Sequence, residues 1–403
     1  MTVEVSVHGF PALVRSVLVP FIHGKLSSSA TSTGGVRLCA VFVRPSLAGS
    51  PLVFAPIGAA VASKSHRCIV AYSGGIVFSE GDVWSDTRRF VLTTLRHFGM
   101  GKKVIANETK GEATLLVQEF AAKDRLSFNP ARLVNRAVCN VIARITVGRR
   151  FEDSDDKVGN VISSINTIFG SDIVLVPDAP LFLLKKERCA VTHVRDFLNT
   201  EIKQHEETFY GDYLRDLVDM FLAEEKKQTA DSKKTLPSKE HIWKPLFDVF
   251  VAGTDTTSMS ITWAILFLAG LPSCQEKILL EIQTIEDSGG TIGTNLQKMP
   301  YTLAFTTEVL RFRPVLPLGL PHVTTEDVRV RDYVIPRGSA IMMNILAIHS
   351  DPKIWGDPEV FRPERFLNAD GTEFVKNKAY MPFGADLSRN VVDFSRRTGG
   401  TKP

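Results

Sequence analysis

The sequence has no pair of cysteines at metal-motif or redox-motif spacing. Its five cysteines, Cys39, Cys68, Cys139, Cys189 and Cys274, are odd in number and lie far apart. That excludes a disulfide scaffold and a zinc ribbon, and it suits a reducing compartment. No charge of one sign dominates. The 48 Lys and Arg against 44 Asp and Glu leave +4, dispersed along the chain, too mild for a nucleic-acid partner. A GxxxxGK[ST] loop is absent, and Gly99-Met100-Gly101 lacks the third glycine of a dinucleotide fingerprint, so no nucleotide or flavin site is visible. His205-Glu206 opens an HExxH pattern, but Phe209 stands where the second histidine belongs, so no zinc pair forms on that helix face.

Long unbroken apolar runs are scarce as well. Residues 9–24 are interrupted by Arg15 and His23, and residues 38–62 by Arg44 and three prolines. A spanning helix needs ~20 unbroken apolar residues, so neither is recognisable as a membrane anchor. Residues 247–271 come nearer, but Asp248 and Asp255 fall inside them, which favours a long core helix.

What is present is a chain of 403 residues, 44% hydrophobic and 23% charged, which excludes wholesale disorder, collagen and coiled coil. Single cores stop growing near ~250–300 residues, so one unusually large domain or two ordinary ones are expected. Residues 1–72 show a Ser/Thr run at 27–33, a Gly-Gly turn and no clean period. From about Gly75 helical signals dominate. Leu133, Val134, Ala137, Val138, Val141, Ile142 and Ile145 mark one buried helix face. Residues 223–240, charged and containing Pro237, read as a solvated loop. Residues 333–336, followed by Gly338 and 341–345, read as a short strand pair. The class is mainly α with small β-sheets.

Within the apolar helix, Ala252-Gly253-Thr254-Asp255-Thr256-Thr257 introduces a carboxylate, three hydroxyls and a glycine. A helix-interior glycine costs ~1 kcal/mol against alanine, and a buried carboxylate needs a partner. Thr hydroxyls can bond back to carbonyls one turn earlier. The motif describes either a groove lined by an acid and an alcohol or a helix with one satisfied polar patch. Further on, Glu308-Val309-Leu310-Arg311 places Glu and Arg on one helix face. Pro363-Glu364-Arg365-Phe366 follows a Trp/Pro/Phe-rich meander at 355–361, and then comes Met381-Pro382-Phe383-Gly384.

These elements in this order resemble the cytochrome P450 superfamily, most closely its microsomal family-2 type. The likeness also takes in Gly75-Ile76-Val77-Phe78, Trp84-Ser85-Asp86-Thr87-Arg88-Arg89-Phe90, Leu95-Arg96-His97-Phe98-Gly99-Met100-Gly101 and Arg215-Asp216-Leu217. It spans 75 to 384, about three quarters of the 403 residues. It implies a cytochrome P450 domain over 73–385, a divergent segment at 1–72 and a divergent tail at 386–403, hence a fold truncated at both ends. It also implies one long, largely buried helix over 242–269, with Asp255 and Thr256 facing a central cavity.

The activity implied is a haem-dependent monooxygenase placing one oxygen atom of O2 into small lipophilic substrates, xenobiotic or lipid. A separate NADPH-dependent flavoprotein reductase would supply electrons, at the endoplasmic reticulum membrane surface. Trp84 and Arg88 would offer an indole N–H and a guanidinium to a haem propionate, and His322 would donate to the other propionate or the same one. Glu308, Arg311 and Arg365 would form a buried structural lock. Thr256 would hydrogen-bond dioxygen, and Asp255 would relay protons toward it. Ala252 and Gly253 would border the haem, Phe383 would open the ligand loop, and Ala252, Leu316 and Leu318 would line an apolar substrate pocket.

The family's ligand cysteine lies seven residues after that Phe, in Phe-Gly-x-Gly-x-Arg-x-Cys. Here position 386 is Asp, 388 is Ser and 390 is Asn, and no cysteine follows Met381. The axial thiolate is therefore expected at a position occupied by Asn390, and no metal ligand is assigned. The tail is also too short and polar for the helix that follows the ligand in the family. Two readings result: a monooxygenase made inactive by the missing cysteine, or a non-catalytic truncated or mis-spliced member retaining part of the fold.

Overall fold

The computed structural model describes residues 37–39, 56–57 and 75–384, apart from 78, 99–102, 125, 153–154, 171–183, 212, 228–235, 291–294, 321 and 331–332. The run 9–24, nearly all of 1–72, Gly99-Met100-Gly101, and the tail with Asp386, Ser388 and Asn390 lie outside the described residues.

Two short strands, β1 (Arg37–Cys39) and β2 (Pro56–Ile57), pair antiparallel. Elements this short carry no readable alternation, which is why the sequence shows no strand there. The helices α1 (Gly81–His97), α2 (Lys103–Ala121), α3 (Ala131–Thr146), α4 (Asp156–Phe169), α5 (Lys185–Glu207) and α6 (Leu217–Lys227) come next. Then follow α7 (Trp243–Gly270), α8 (Pro272–Asp287) and α9 (Pro300–Phe312). The chain continues through β3 (His322–Val323), β4 (Val328–Val330), β5 (Tyr333–Ile335), β6 (Ala340–Ile341), α10 (Ile345–His349) and α11 (Pro352–Trp355). The fold is mainly α with small antiparallel sheets, as the sequence leads one to expect.

The described residues group into two compact units, with the division inside α7 after Thr262. The first unit contains α1 to α6 and α7 as far as Thr262. Its core joins Val91 and Leu95 of α1, Cys139 and Ala143 of α3, Leu198 of α5, Phe221 of α6 and Phe250 of α7. Phe197 links Phe151 to Phe250 in a tilted aromatic run, with centroids 5.5 and 5.8 Å apart. In α3 the buried set is Val134, Val138, Cys139, Asn140, Ala143, Ile145 and Thr146. Leu133, Ala137, Val141 and Ile142 are only half-buried, which corrects the face read from the sequence. The polar Asn140 belongs inside because its amide holds both backbone groups of Phe151.

Helix α2 differs from the others in this unit. None of its described side chains is fully buried, and three of its glutamates reach arginines of α3 and the turn after it. Glu108 pairs with Arg144 at 3.2 Å, Glu112 with Arg150 at 2.6 Å and Glu119 with Arg136 at 3.4 Å. Between α2 and α3 lies a half-open groove of about 300 Å³ floored by Leu116, Leu133 and Ala137.

The second unit centres on α9. Cys274, Tyr301, Phe305 and Val309 form one core cluster with Phe267 and Phe361, whose rings stack 4.1 Å apart. Pro300 starts α9 where a missing N–H costs nothing. Glu281 of α8 then accepts the backbone N–H groups of Tyr301 and Thr302 at 2.7 and 2.8 Å. A side chain of another helix thus caps α9.

Two local expectations are corrected. Residues 223–227 are helical, as the end of α6, because Phe221 and Leu222 anchor that helix in the core and its charged end faces out. Strand β5 does not pair with 341–345: it pairs with β4, β6 pairs with β3, and Ile345 already begins α10. Gly338, at φ +79°, makes the turn that separates them. Among the described residues no single helix is long and apolar enough to cross a membrane.

Candidate functional site

Helix α7 is long because its apolar run contains only one proline, Pro245, in the first turn where its missing N–H is harmless. Its fully buried residues end at Thr262; Trp263 to Leu268 are half-buried, and Ala269 and Gly270 are exposed. Four hydroxyls in its middle are satisfied within the helix. Thr254, Thr256, Ser260 and Thr262 each donate to the carbonyl four residues earlier, at 2.7, 2.7, 2.9 and 2.8 Å. Thr256, half-buried, therefore gives its proton to Ala252 and keeps its lone pairs as acceptors. Gly253 has a packing reason: a Cβ there would lie 2.8 Å from Ile142 Cδ1 of α3. Asp255 is 5% exposed, and burial pushes its carboxyl up to about 6.

One turn from the start of α7, Asp248 accepts the backbone N–H groups of Ile76 and of Val77, the latter at 3.0 Å. A Cβ on Gly75 would come within 2.3 Å of the same carboxylate oxygen. The segment leading into α1 is thus pinned to α7. Burial pushes the Asp248 carboxyl up to about 6 despite these two donors. On α1, Trp84 is half-buried and Arg88 is exposed, with the guanidinium 5.8 Å from the indole centroid.

The structure brings Glu308, Arg311 and Arg365 together. Glu308, fully buried, accepts from Arg311 Nε at 2.7 Å and Nη2 at 2.8 Å, and from Arg365 Nε at 3.1 Å. The Arg362 backbone N–H adds a further donor at 2.9 Å. Arg311 also donates to the carbonyls of His349 and Pro358. Arg365 also donates to those of Trp355, Asp357 and Val360. The second guanidinium has its own counter-charge: the Asp357 carboxylate lies 3.2 Å from Arg365. The sequence reading missed Asp357, since an Asp between Gly356 and Pro358 is indistinguishable from an ordinary turn former.

Other expected site residues are less enclosed. Leu316 and Leu318 are half-buried in the loop after α9, His322 is exposed on β3, and Phe383 is 90% exposed. The described cysteines are occupied otherwise. Cys139 is buried beside Thr254, and burial pushes its thiol up to about 12. Cys274 accepts a hydrogen bond from the Tyr301 hydroxyl at 3.3 Å, and Cys189 is exposed on α5.

His205, Asp216 and Asp219 have ligating atoms within 4.8 Å of one another, yet each has a partner already. The imidazole nitrogens of His205 face two acceptors, the Glu201 carbonyl and Asp216, both at 2.7 Å, so both carry protons. Burial lowers this imidazole's pKa, but the bond to Asp216 and its charge prevail and raise it. Arg215 holds Asp219 with two side-chain bonds, at 2.6 and 2.8 Å.

The family model described as Cytochrome P450 matches residues 61–385. Among curated proteins, the chain is 32% identical to Cytochrome P450 2U1 of Homo sapiens over 328 residues, covering 78% of this chain and 60% of that protein. It is 33% identical to Cytochrome P450 2J2 of Homo sapiens, covering 77% and 63%, and 34% identical to Cytochrome P450 2C6 of Rattus norvegicus, covering 77% and 65%. The chain spans about three fifths of the length of these relatives. A family model over most of the sequence, agreeing with relatives above 30% identity, fixes the conclusion: this chain belongs to the cytochrome P450 family.

Proposed function

We propose that the chain is built on the scaffold of a haem-dependent monooxygenase for small lipophilic substrates and that, as its sequence stands, it does not perform that reaction. The observation that carries the second half is Asn390 at the ligand position. An asparagine side chain is no substitute for a thiolate, which donates the electron density that favours O–O cleavage. Two of the described cysteines do not fit a haem-thiolate centre either: Cys139 is held as a thiol by burial, and Cys274 lies in an aromatic cluster and accepts from the Tyr301 hydroxyl. The family likeness and the polar interruption of α7 support the first half.

In this reading the domain covers 73–385. Trp84, Arg88 and His322 serve the propionates, and Ala252, Leu316 and Leu318 serve the substrate. Thr256 and Asp255 keep the hydroxyl and the acid of the oxygen-handling machinery, and a carboxyl near 6 suits an acid that exchanges protons near neutrality. Glu308, Arg311 and Arg365 hold the fold beneath. A flavoprotein reductase using NADPH, O2 and the endoplasmic reticulum membrane surface are the remaining partners. The alternative is a non-catalytic member that keeps the fold for its protein contacts, and Asn390 favours it for this polypeptide.

The test is spectroscopic. Purified chain supplied with haem, reduced and exposed to carbon monoxide should show no thiolate-type Soret shift. Asn390→Cys alone should not create it, because Asp386 and Ser388 replace the glycine and arginine that shape the loop. Exchange of the stretch after Ala385 for a complete cysteine-bearing family loop and helix should. A thiolate shift in the unaltered chain would sink this reading and require another cysteine at the iron.

A further inference from the structure

His349, at the end of α10, is completely buried and takes part in no step discussed so far. Its ring lies parallel to Tyr380, with centroids 5.9 Å apart, and edge-on to Trp355 at 6.2 Å. Its backbone carbonyl accepts from Arg311 Nη1 at 2.7 Å, so the residue is bonded directly to the buried ion cluster. Its side chain reaches the other way, where Nε2 lies 3.1 Å from the backbone nitrogen of Met381. A backbone N–H can only donate, so Nε2 must present its lone pair. The ring proton then belongs on Nδ1, which is buried and has no partner.

Among the described residues this is the one hydrogen bond that ties 381–384 to another element; the other in that stretch runs from Gly384 back to the Met381 carbonyl. Packing completes the tie. Gly384 sits at φ +78°, and a Cβ there would meet Met343 Cε at 2.6 Å.

We propose that His349 is the positioning residue through which the Glu308–Arg311–Arg365 cluster holds the 381–384 turn, and that it does so only as the neutral, Nδ1-protonated imidazole. That this turn opens a haem loop rests on the reading above; the tie does not. The charged and titratable groups that bear on the ring are Arg311 of α9, itself paired with Glu308, and Tyr380, which stacks on it. A second proton would set an Nε2–H against the Met381 N–H and place a positive charge near Arg311. Burial, followed by Arg311, holds the His349 pKa down at about 4, so the tie persists across the physiological range.

Amide exchange in the full chain tests this. In His349→Phe, which keeps a ring in the stack, the Met381 amide should exchange about tenfold faster at neutral pH, while α7 amides keep their rates. His349→Gln, whose side-chain oxygen can accept, should recover part of the protection. Unchanged Met381 protection in a folded His349→Phe chain would overturn the proposal. If that variant does not fold, nitrogen-15 shifts of His349 in the unaltered chain decide. A bare Nε2 between pH 5.5 and 8 supports the tie, and a protonated Nε2 removes it. Both measurements are indifferent to haem, so they can fail independently of the carbon monoxide experiment.

Discussion

The Glu308 cluster and the ladder along α2 use the same two residue types and differ chiefly in burial. Around Glu308 the paired side chains are 0%, 1% and 5% exposed, and backbone carbonyls take up the remaining guanidinium donors. Along α2 the pairs are more open to solvent: Arg144 and Glu108 are 43% and 44% exposed, Arg136 and Glu119 28% and 35%, and Arg150 and Glu112 29% and 12%. Desolvation makes the first cluster costly to disturb, since whatever remains is a buried charge without its partner. Solvent screening makes the more exposed rungs of the second, Glu108 and Glu119, cheap. An identical Glu–Arg contact is therefore a structural lock in one unit and a weak adhesive in the other.

The most direct way to break the contrast is Glu308→Ala. It leaves Arg311 and Arg365 buried with only Asp357 to balance them. The expected loss is ~3–5 kcal/mol, enough to prevent folding of a marginal domain. Soluble expression and thermal melting check it, and a variant that melts like the parent would show that the cluster bears no load.

Asp255 sharpens the comparison from the other side, as a buried carboxylate without a cation. Its folded pKa, about 6, is raised above the ordinary 3.8, so its contribution is intact below pH 4 and is lost as pH rises through 6. Asp255→Asn should then stabilise the fold by at most about 2–3 kcal/mol above pH 6, with the gain shrinking to nothing near pH 4. Melting temperatures across that range check the sign. A gain independent of pH would mean that the carboxyl is not the group responsible.

The smallest effect belongs to the ladder. Glu108→Gln and Glu119→Gln should each cost about 0.2–1 kcal/mol at low ionic strength. The cost should shrink in 0.5 M salt, where the screening length falls to about 4 Å. Equal losses at both salt concentrations would show that the α2 pairs are better shielded than their exposure indicates.

These differences explain what could be read from the sequence. The Glu308–Arg311 pair was legible because helical spacing alone puts the two on one face, and Arg365 followed from its motif. The long α7 was legible because Gly253 and two aspartates cannot disguise so continuous an apolar run. Burial was not legible, and neither were contacts between distant segments. Glu281 capping α9, Asn140 fastening Phe151 and His349 reaching Met381 leave no spacing in the chain. The strand pairing was misread for the same reason, since the partners of β5 and β6 depend on which neighbours the turn at Gly338 leaves free.

The Asp248 carboxylate has a consequence for the order of assembly. Its two hydrogen bonds join positions 172 and 171 residues apart. Closing so long a loop is opposed by chain entropy, and two bonds from one side chain are a small return unless the intervening helices are already compact. The approach to α1 therefore docks on α7 after the helices between them have condensed, which places this contact at the finishing stage of folding. A side chain at position 75 would obstruct that last step alone, leaving a domain whose helices are all present but whose entry to α1 never closes.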